Sequence, residues 1–395
     1  MLNPAAPVLK VCEFYSGIGG YHLALSQIPE LSYKVVAAFE ISSNANCIYR
    51  ANFPATSVFE TNLCGLTAAR LESIIKKASA NHDQDFKSRD ENDTSRDKVM
   101  FVMSPPCQPF TRQGVMKDEL DPRSESVIHL FDMFSDLSSL PDYFLLENVK
   151  GFETSNTRNN IMQFFTQHQY HVVEFLINSN QFGIPNSRLR YYLLARKQPF
   201  PENIQSFADN KNSLLSFIPG CEDFATTPPL LEFLQEDPAS CQLSDKFLSK
   251  WGWVLDIVTP SSTRSCCFTK GYSVKAEGSG SVIQQTPDPS PGDLTRQERN
   301  ETPQERSNPP SDLSRDKTDN GRSMCNSKLS DGEFLQHMRS LNLRLFAPRE
   351  IARIHGIPEW YSFPESLSEK QLYKLLGNGL NVTVVKLLIE RILLS

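Results

Sequence analysis

One thiol in this chain stands where it could do chemistry. Cys107 follows two prolines in Pro105-Pro106-Cys107-Gln108, directly after the apolar run Val99-Met100-Phe101-Val102-Met103. Such a run reads as a buried strand of a parallel sheet. The prolines cannot continue a ladder and hold the backbone extended and stiff. A thiol on that turn points out of the carboxyl edge of the sheet, where open α/β folds bind their ligands. Taken alone, a cysteine is more often a small buried hydrophobe. The chemistry it offers is nucleophilic attack as a thiolate.

Three further motifs bear on that choice. Leu145-Leu146-Glu147-Asn148-Val149 places a carboxylate at the end of another apolar run, a poor place for an unpaired charge. Glu147 is therefore a strand cap bonded to backbone amides or a general acid. Gln181-Phe182-Gly183-Ile184-Pro185-Asn186-Ser187-Arg188-Leu189-Arg190 leads into a further apolar run, and in an extended chain Arg188 and Arg190 project from one side. Unless they lie on a solvated edge, two such guanidiniums need anionic or carbonyl partners. Phe14-Tyr15-Ser16-Gly17-Ile18-Gly19-Gly20 lets backbone approach a ligand closely and opens a helix. It departs from the Gly-x-Gly-x-x-Gly pattern because position 22 is His22. Glu40 ends the next apolar run, where an acidic residue commonly grips ribose hydroxyls. This half of the chain therefore binds an adenosine-containing cofactor, either a dinucleotide or S-adenosylmethionine.

The elements that must position these residues alternate. Strands are expected at Leu9–Tyr15, Lys34–Glu40, Val99–Met103, Tyr143–Glu147, Val172–Ile177 and Arg190–Ala195. Helices are expected near Tyr21–Ile28, Ser43–Ala51, Ala68–Ala80, Glu125–Leu137 and Arg158–His168. Alternation of this kind implies a parallel sheet covered on both faces. The stretch from about 200 to 340 is less periodic and reads as a smaller second domain. The tail Pro348–Ser395 is helical and too apolar to stand alone, so it should pack back onto the first domain.

Composition bounds the rest. The 395 residues suggest two or three domains, or one large domain with insertions. Nine cysteines lack any Cys-x-x-Cys pair, which argues against a zinc site, and no metal is expected. The N-terminus lacks the pattern of a signal peptide, no apolar run reaches membrane-spanning length, and a reducing cytosolic or nuclear compartment is the default. The net charge of -6 argues mildly against nucleic acid as a partner. That average misleads if the segments 81–98 and 284–330 are solvated insertions, as their polar, aromatic-poor compositions suggest.

The ordered set of Phe14–Gly20, Glu40, Pro105–Gln108, Glu147-Asn148-Val149, Arg188–Arg190 and Leu376-Gly377-Asn378-Gly379-Leu380-Asn381 resembles the C5-cytosine methyltransferase family over nearly the whole chain. Pro109, Thr111, Asn186 and Cys267-Phe268-Thr269 resemble the branch of that family that methylates tRNA. The resemblance implies an α/β, Rossmann-like methyltransferase with a mostly parallel central sheet and a small target-recognition domain. The domains would run 1–200 (catalytic), 201–340 (target recognition) and 341–395 (helices completing the catalytic domain). It implies S-adenosyl-L-methionine as cofactor, S-adenosyl-L-homocysteine as product, and methylation of cytosine 38 in the anticodon loop of aspartate tRNA.

In that chemistry Cys107 adds to carbon 6 of the base, Glu147 bonds ring N3 and the exocyclic amine, and Arg188 steadies the ring carbonyl. Arg190 orients Glu147 or the backbone. Tyr15, Ile18, Gly19, Gly20, Glu40, Leu63, Ser104, Asn378 and Gly379 line the cofactor pocket by the same resemblance. Lys246, Lys250, Arg264, Lys270 and Lys275 are candidates for phosphate contacts, although scattered surface charges are the ordinary reading. The expected partner is tRNA, with weak DNA binding beside it, no membrane, and a monomeric enzyme in the cytoplasm and also the nucleus. A DNA cytosine-5 methyltransferase, or an idle nucleic-acid-binding scaffold, would carry much of the same pattern. A nicotinamide dehydrogenase would not need Pro-Pro-Cys-Gln.

Overall fold

The computed structural model describes residues 8–79, 97–106, 122–210, 213–221, 226–236, 241–285 and 330–395. Cys107, Gln108, Pro109 and Thr111 lie outside the described residues, as does most of both expected insertions.

The first half alternates as the apolar runs require. It reads β1 (Leu9–Phe14), α1 (Gly20–Ser26), β2 (Tyr33–Glu40), α2 (Ser43–Asn52), β3 (Val58–Glu60), α3 (Ala68–Ser79), β4 (Lys98–Met103), α4 (Pro122–Ser135), β5 (Tyr143–Val149), α5 (Asn156–Gln167), β6 (His171–Asn178) and β7 (Leu189–Arg196). The six expected strands and five expected helices all form within a few residues of their expected bounds. β3 was not expected, because three residues carry no readable period.

After α6 (Glu202–Asp209) and β8 (Leu214–Leu215), these strands complete one sheet in the order β3-β2-β1-β4-β5-β7-β6-β8. β1 pairs in parallel with both β2 and β4, so the strand order reverses between them. A crevice opens at the carboxyl ends of strands at such a point. β7 runs antiparallel between β5 and β6. That reversal brings the start of β7, where Arg188 and Arg190 lie, to the edge where the parallel strands end.

The strand alternation sorts side chains onto two faces. Val11, Val35, Met100, Val102 and Leu145 join one buried cluster with residues of α1 and the C-terminal helices. Cys12, Phe14, Val99, Phe101, Met103, Phe144 and Leu146 join the other, under α3, α4 and α5. Aromatic rings dominate this second face, with Phe14, Phe101 and Phe144 each in edge contact with neighbouring phenylalanines.

The rest of the described chain adds α7 (Asp245–Trp251), β9 (Asp256–Val258), β10 (Ser281–Gln284), α8 (Asp331–Ser340) and β11 (Leu343–Arg344). The three strands form a second sheet, β11-β10-β9, over a small core of Leu248, Val282, Met338 and Leu343. β11 lies past residue 340 and β8 joins the large sheet, so the chain crosses between the two layers around both expected boundaries.

The tail forms α9 (Pro348–Ile354), α10 (Glu369–Asn378) and α11 (Val382–Leu388), and α11 packs on α1 in the core of the first face. Contrary to the sequence expectation, the stretch Glu369–Leu393 is long and apolar enough, by composition, to cross a membrane. It is interrupted at Gly379, and most of its apolar window is buried inside the protein.

Candidate active site

The glycine turn is built from left-handed backbone. Tyr15, Gly17 and Gly19 have φ of 56°, 52° and 84°. A Cβ on Gly17 would meet nothing within 4 Å, so the turn faces open space there. Behind the turn there is no such freedom. A Cβ on Gly20 would lie 2.7 Å from Leu380, and one on Gly19 would lie 3.0 Å from Tyr49. Tyr361 donates its hydroxyl to the Ile18 carbonyl, and Tyr15 Oη donates to Ser126 Oγ at 2.8 Å. The turn is thus clamped from behind and open in front.

Glu40 ends β2 beside it. One carboxylate oxygen accepts the Gly17 N–H at 3.0 Å and the other accepts the Ser42 N–H at 2.8 Å. Each oxygen keeps a lone pair for a ligand hydroxyl. Ile41, next in sequence, is 68% exposed. An exposed aliphatic side chain adjoining this carboxylate suits one face of an adenine ring. Sequence reasoning missed Ile41, although an apolar residue directly after Glu40 was visible. Leu63 is buried at the turn after β3, and Ser104 leaves β4 with its Oγ donating to Tyr21 Oη at 3.2 Å. These groups fit an adenosyl cofactor.

The reacting side lies on β5 and β7. Glu147 is buried at the end of β5, and its Oε1 pairs with Arg190 Nε at 3.3 Å. Arg190 faces Val149 across the ladder, so it meets Glu147 as a diagonal neighbour on the same face. Asn148 donates its side-chain amide to the Pro105 carbonyl at 3.3 Å. That bond fixes the chain two residues before Cys107 to the residue after Glu147. Asn148 was in the quoted motif, but its role was not legible without the fold.

Arg188 is differently occupied. Its guanidinium donates to the Phe268 carbonyl at 3.2 Å, to the Gly377 carbonyl at 3.5 Å and to the Gly379 carbonyl. Both arginines then converge on one thiol, with Arg188 Nη1 at 3.4 Å and Arg190 Nη2 at 3.7 Å from Cys267 Sγ. Burial alone would raise the Cys267 pKa, but the two guanidiniums overcome it and hold the thiol below its ordinary value. Sequence reasoning quoted Cys267 as a signature and assigned it no contact.

Asn186 explains how that thiol is placed. Its side-chain amide donates to Ser265 Oγ at 3.0 Å and to the Cys266 carbonyl at 2.9 Å, and the Ser187 N–H donates to the Ser265 carbonyl at 2.9 Å. The chain before β7 is therefore laced to the segment that carries Cys267. Gly377 closes the ring from the other side, since a Cβ there would sit 2.2 Å from the Thr269 carbonyl carbon. Of the expected cofactor residues, Gly379 bridges Arg188 to the Leu380 side chain under Gly20, whereas Asn378 is exposed.

The arrangement is a carboxylate–guanidinium pair at one sheet edge, beside an adenosine-shaped cradle, with a proline turn tethered to it. The family model for C-5 cytosine-specific DNA methylase matches residues 9–394. The chain is 34% identical to the Bos taurus tRNA (cytosine(38)-C(5))-methyltransferase, covering 97% of this chain and 98% of that protein. It is 31% identical to the Dictyostelium discoideum DNA (cytosine-5)-methyltransferase over 97% and 93% of the two chains. Among solved structures, a Spodoptera frugiperda DNMT2 mutant aligns with a TM-score of 0.72 and 32% identity, covering 96% of this chain and 98% of that one. With the cradle, the sheet edge and these likenesses in agreement, this chain belongs to the C-5 cytosine-specific methylase family and is an enzyme that uses S-adenosylmethionine.

Proposed function

We infer that this enzyme methylates carbon 5 of cytosine 38 in the anticodon loop of aspartate tRNA, through covalent addition of Cys107 to carbon 6. The observation that carries the reading is the tether from Asn148, next to Glu147, to the carbonyl of Pro105, two residues before Cys107 in the chain. The tRNA substrate rests on the names of full-length relatives from mammals, an insect and a fission yeast.

Carbon 5 of cytosine is a poor nucleophile until a thiolate adds at carbon 6. The bound cofactor supplies an electrophilic methyl group on its sulfonium. In this assignment Glu147 bonds the N3 edge of the base, where charge develops as the thiolate adds. Arg190 holds Glu147 in place, and Arg188 braces the wall of the pocket through three carbonyls. In this assignment Arg188 also steadies the ring carbonyl of the base. A base removes the carbon 5 proton before Cys107 leaves. An anticodon-loop base is already largely unpaired, so bringing it to the thiol costs less than flipping it from a duplex. The work of the enzyme would lie in the cytoplasm and the nucleus, where tRNA is made and used.

A DNA substrate is the second reading, favoured by the name of the Dictyostelium relative. The test supplies labelled methyl donor with tRNA(Asp), the same tRNA carrying uridine at position 38, and duplex DNA, and maps 5-methylcytosine by mass spectrometry. The expected result is label at position 38 of the first substrate only, and none with Cys107→Ala. Methylation of DNA alone would overturn the tRNA assignment.

A further inference from the structure

Trp253 is 54% exposed, one of few large apolar side chains on the described surface. It lies in the turn between α7 and β9, away from both cores of the large sheet. Its one polar atom is already used, because the indole Nε1 donates to the Lys250 carbonyl at 3.1 Å. What it offers outward is therefore aromatic surface alone. Two cations lie near it in the chain: Lys250, whose Nζ is 4.8 Å from the Trp251 ring centroid, and Arg264, which is exposed and paired with Asp256 of β9.

A chain of contacts links this ring to the active site. Three residues on, Asp256 takes Arg264 Nη1 at 2.9 Å and the Ser281 hydroxyl. Ser281 Oγ in turn accepts the Cys266 N–H at 2.7 Å, and the next residue, Cys267, touches both site arginines. Three residues of chain span at most about 11 Å, so with these contacts Trp253 lies within roughly 30 Å of those guanidiniums. That is the span of a few nucleotides. A fixed aromatic surface bonded to the backbone of an exposed lysine, within that reach of a base-modifying site, is what single-stranded nucleic acid stacks upon.

We propose that Trp253 stacks on a base of the substrate RNA outside the methylated cytosine, with Lys250 facing an adjoining phosphate. This rests on the tRNA reading above.

The test uses the full-length enzyme and tRNA(Asp). Base stacking on an aromatic side chain sets the scale, so Trp253→Ala should weaken tRNA affinity and raise KM for tRNA about 5- to 100-fold. The effect should fall on KM rather than kcat, and Trp253→Phe should recover most of it. Cofactor affinity, measured separately by calorimetry, reports whether each variant is folded. If the alanine variant does not fold, Trp253→Phe against Trp253→Leu decides, with the leucine variant expected to lose affinity several-fold relative to phenylalanine. An enzyme that methylates tRNA(Asp) but binds it equally well with Ala, or with Leu and Phe alike, overturns the stacking and leaves the tRNA reading intact. A wild-type enzyme that neither binds nor methylates tRNA overturns both.

Discussion

At the scale of single residues, the site is held by charges that have few places to go. Asn148 is the cheapest to test. Removing its amide frees the Pro105 carbonyl but leaves the cofactor cradle untouched, so Asn148→Ala should lower kcat on the order of 100-fold with cofactor affinity preserved. Equal losses in both would show that the tether supports the fold and does not position the thiol.

Glu13 makes a different kind of statement. It sits fully buried in β1 behind the glycine turn, and no hydrogen bond of good geometry reaches either oxygen. Burial pushes its carboxyl up to about 8, against opposing contributions from the Tyr49 hydroxyl and the His22 amide. His22 is pushed down to about 4 by burial. His355 is pushed well below its ordinary value, by burial first and then by Arg188 and Arg190. The signs follow. A raised acid gives stability that is complete below its unfolded value near 4.5 and is lost as pH rises through 8. A lowered histidine gives stability that is gained as pH rises toward 6.5. The groups oppose one another between about 4.5 and 6.5, and above pH 7 the histidines no longer contribute. From pH 7 to 8 the contribution of Glu13 should fall by up to about 1.4 kcal/mol. Chemical denaturation at pH 7 and pH 8 should show this loss in the native enzyme, and a smaller one in Glu13→Gln.

At the scale of elements, the close approach of α10 to the Thr269–Lys270 backbone is the sharpest constraint. A Cβ on Gly377 would fall 2.2 Å and 2.4 Å from atoms of those two residues, both backbone. Gly377→Ala should therefore cost about 2 kcal/mol or more and push Cys267 and Phe268 away from Arg188. Gly332 in α8 meets nothing within 4 Å, so Gly332→Ala should be neutral or gain about 0.5–1 kcal/mol. Thermal melts of the pair, compared with methyl transfer, separate crowding from a general dislike of alanine.

The same element scale shows what the chain spelled out and what it hid. The runs that became β2, β4 and β7 hold five apolar residues in a row, and those of β1, β5 and β6 are apolar apart from a few polar positions, so burial on both faces made them readable. The strands of the small sheet have two to four residues and no period to detect. The reversal of β7 is a topological fact with no local signal, yet it is what turns Arg188 and Arg190 from residues at a strand start into residues at the ligand-binding edge. Glu147 and the arginines were legible by type. Their partners Asn148 and Cys267 were legible only as letters in motifs, because their roles depend on contacts across 43 and 79 residues of chain.

At the scale of the whole molecule, the small sheet must be held at a fixed angle to the large one if Cys267 is to stay between the arginines. One buried ion pair lies at that joint. Arg344 in β11 meets Glu350 in α9 through two parallel bonds of 2.8 Å and 2.9 Å, and both side chains are buried. Glu350 also accepts the Gln235 N–H at 2.8 Å and the Ala347 N–H at 2.7 Å. A single carboxylate thus fastens the last strand of the small sheet, the loop before α7 and the start of α9. Replacing it leaves a buried guanidinium without its counter-charge and two backbone donors without acceptors. Glu350→Ala should cost about 3–5 kcal/mol. Because the lost contacts lie at a joint, the loss should be uneven. Hydrogen exchange should rise first in β9, β10 and β11, while the amides of β1 and β4 stay protected, and tRNA affinity should drop before cofactor affinity does. Uniform loss of protection in both sheets would mean that the pair supports one common core, and that the orientation of the small sheet is set elsewhere.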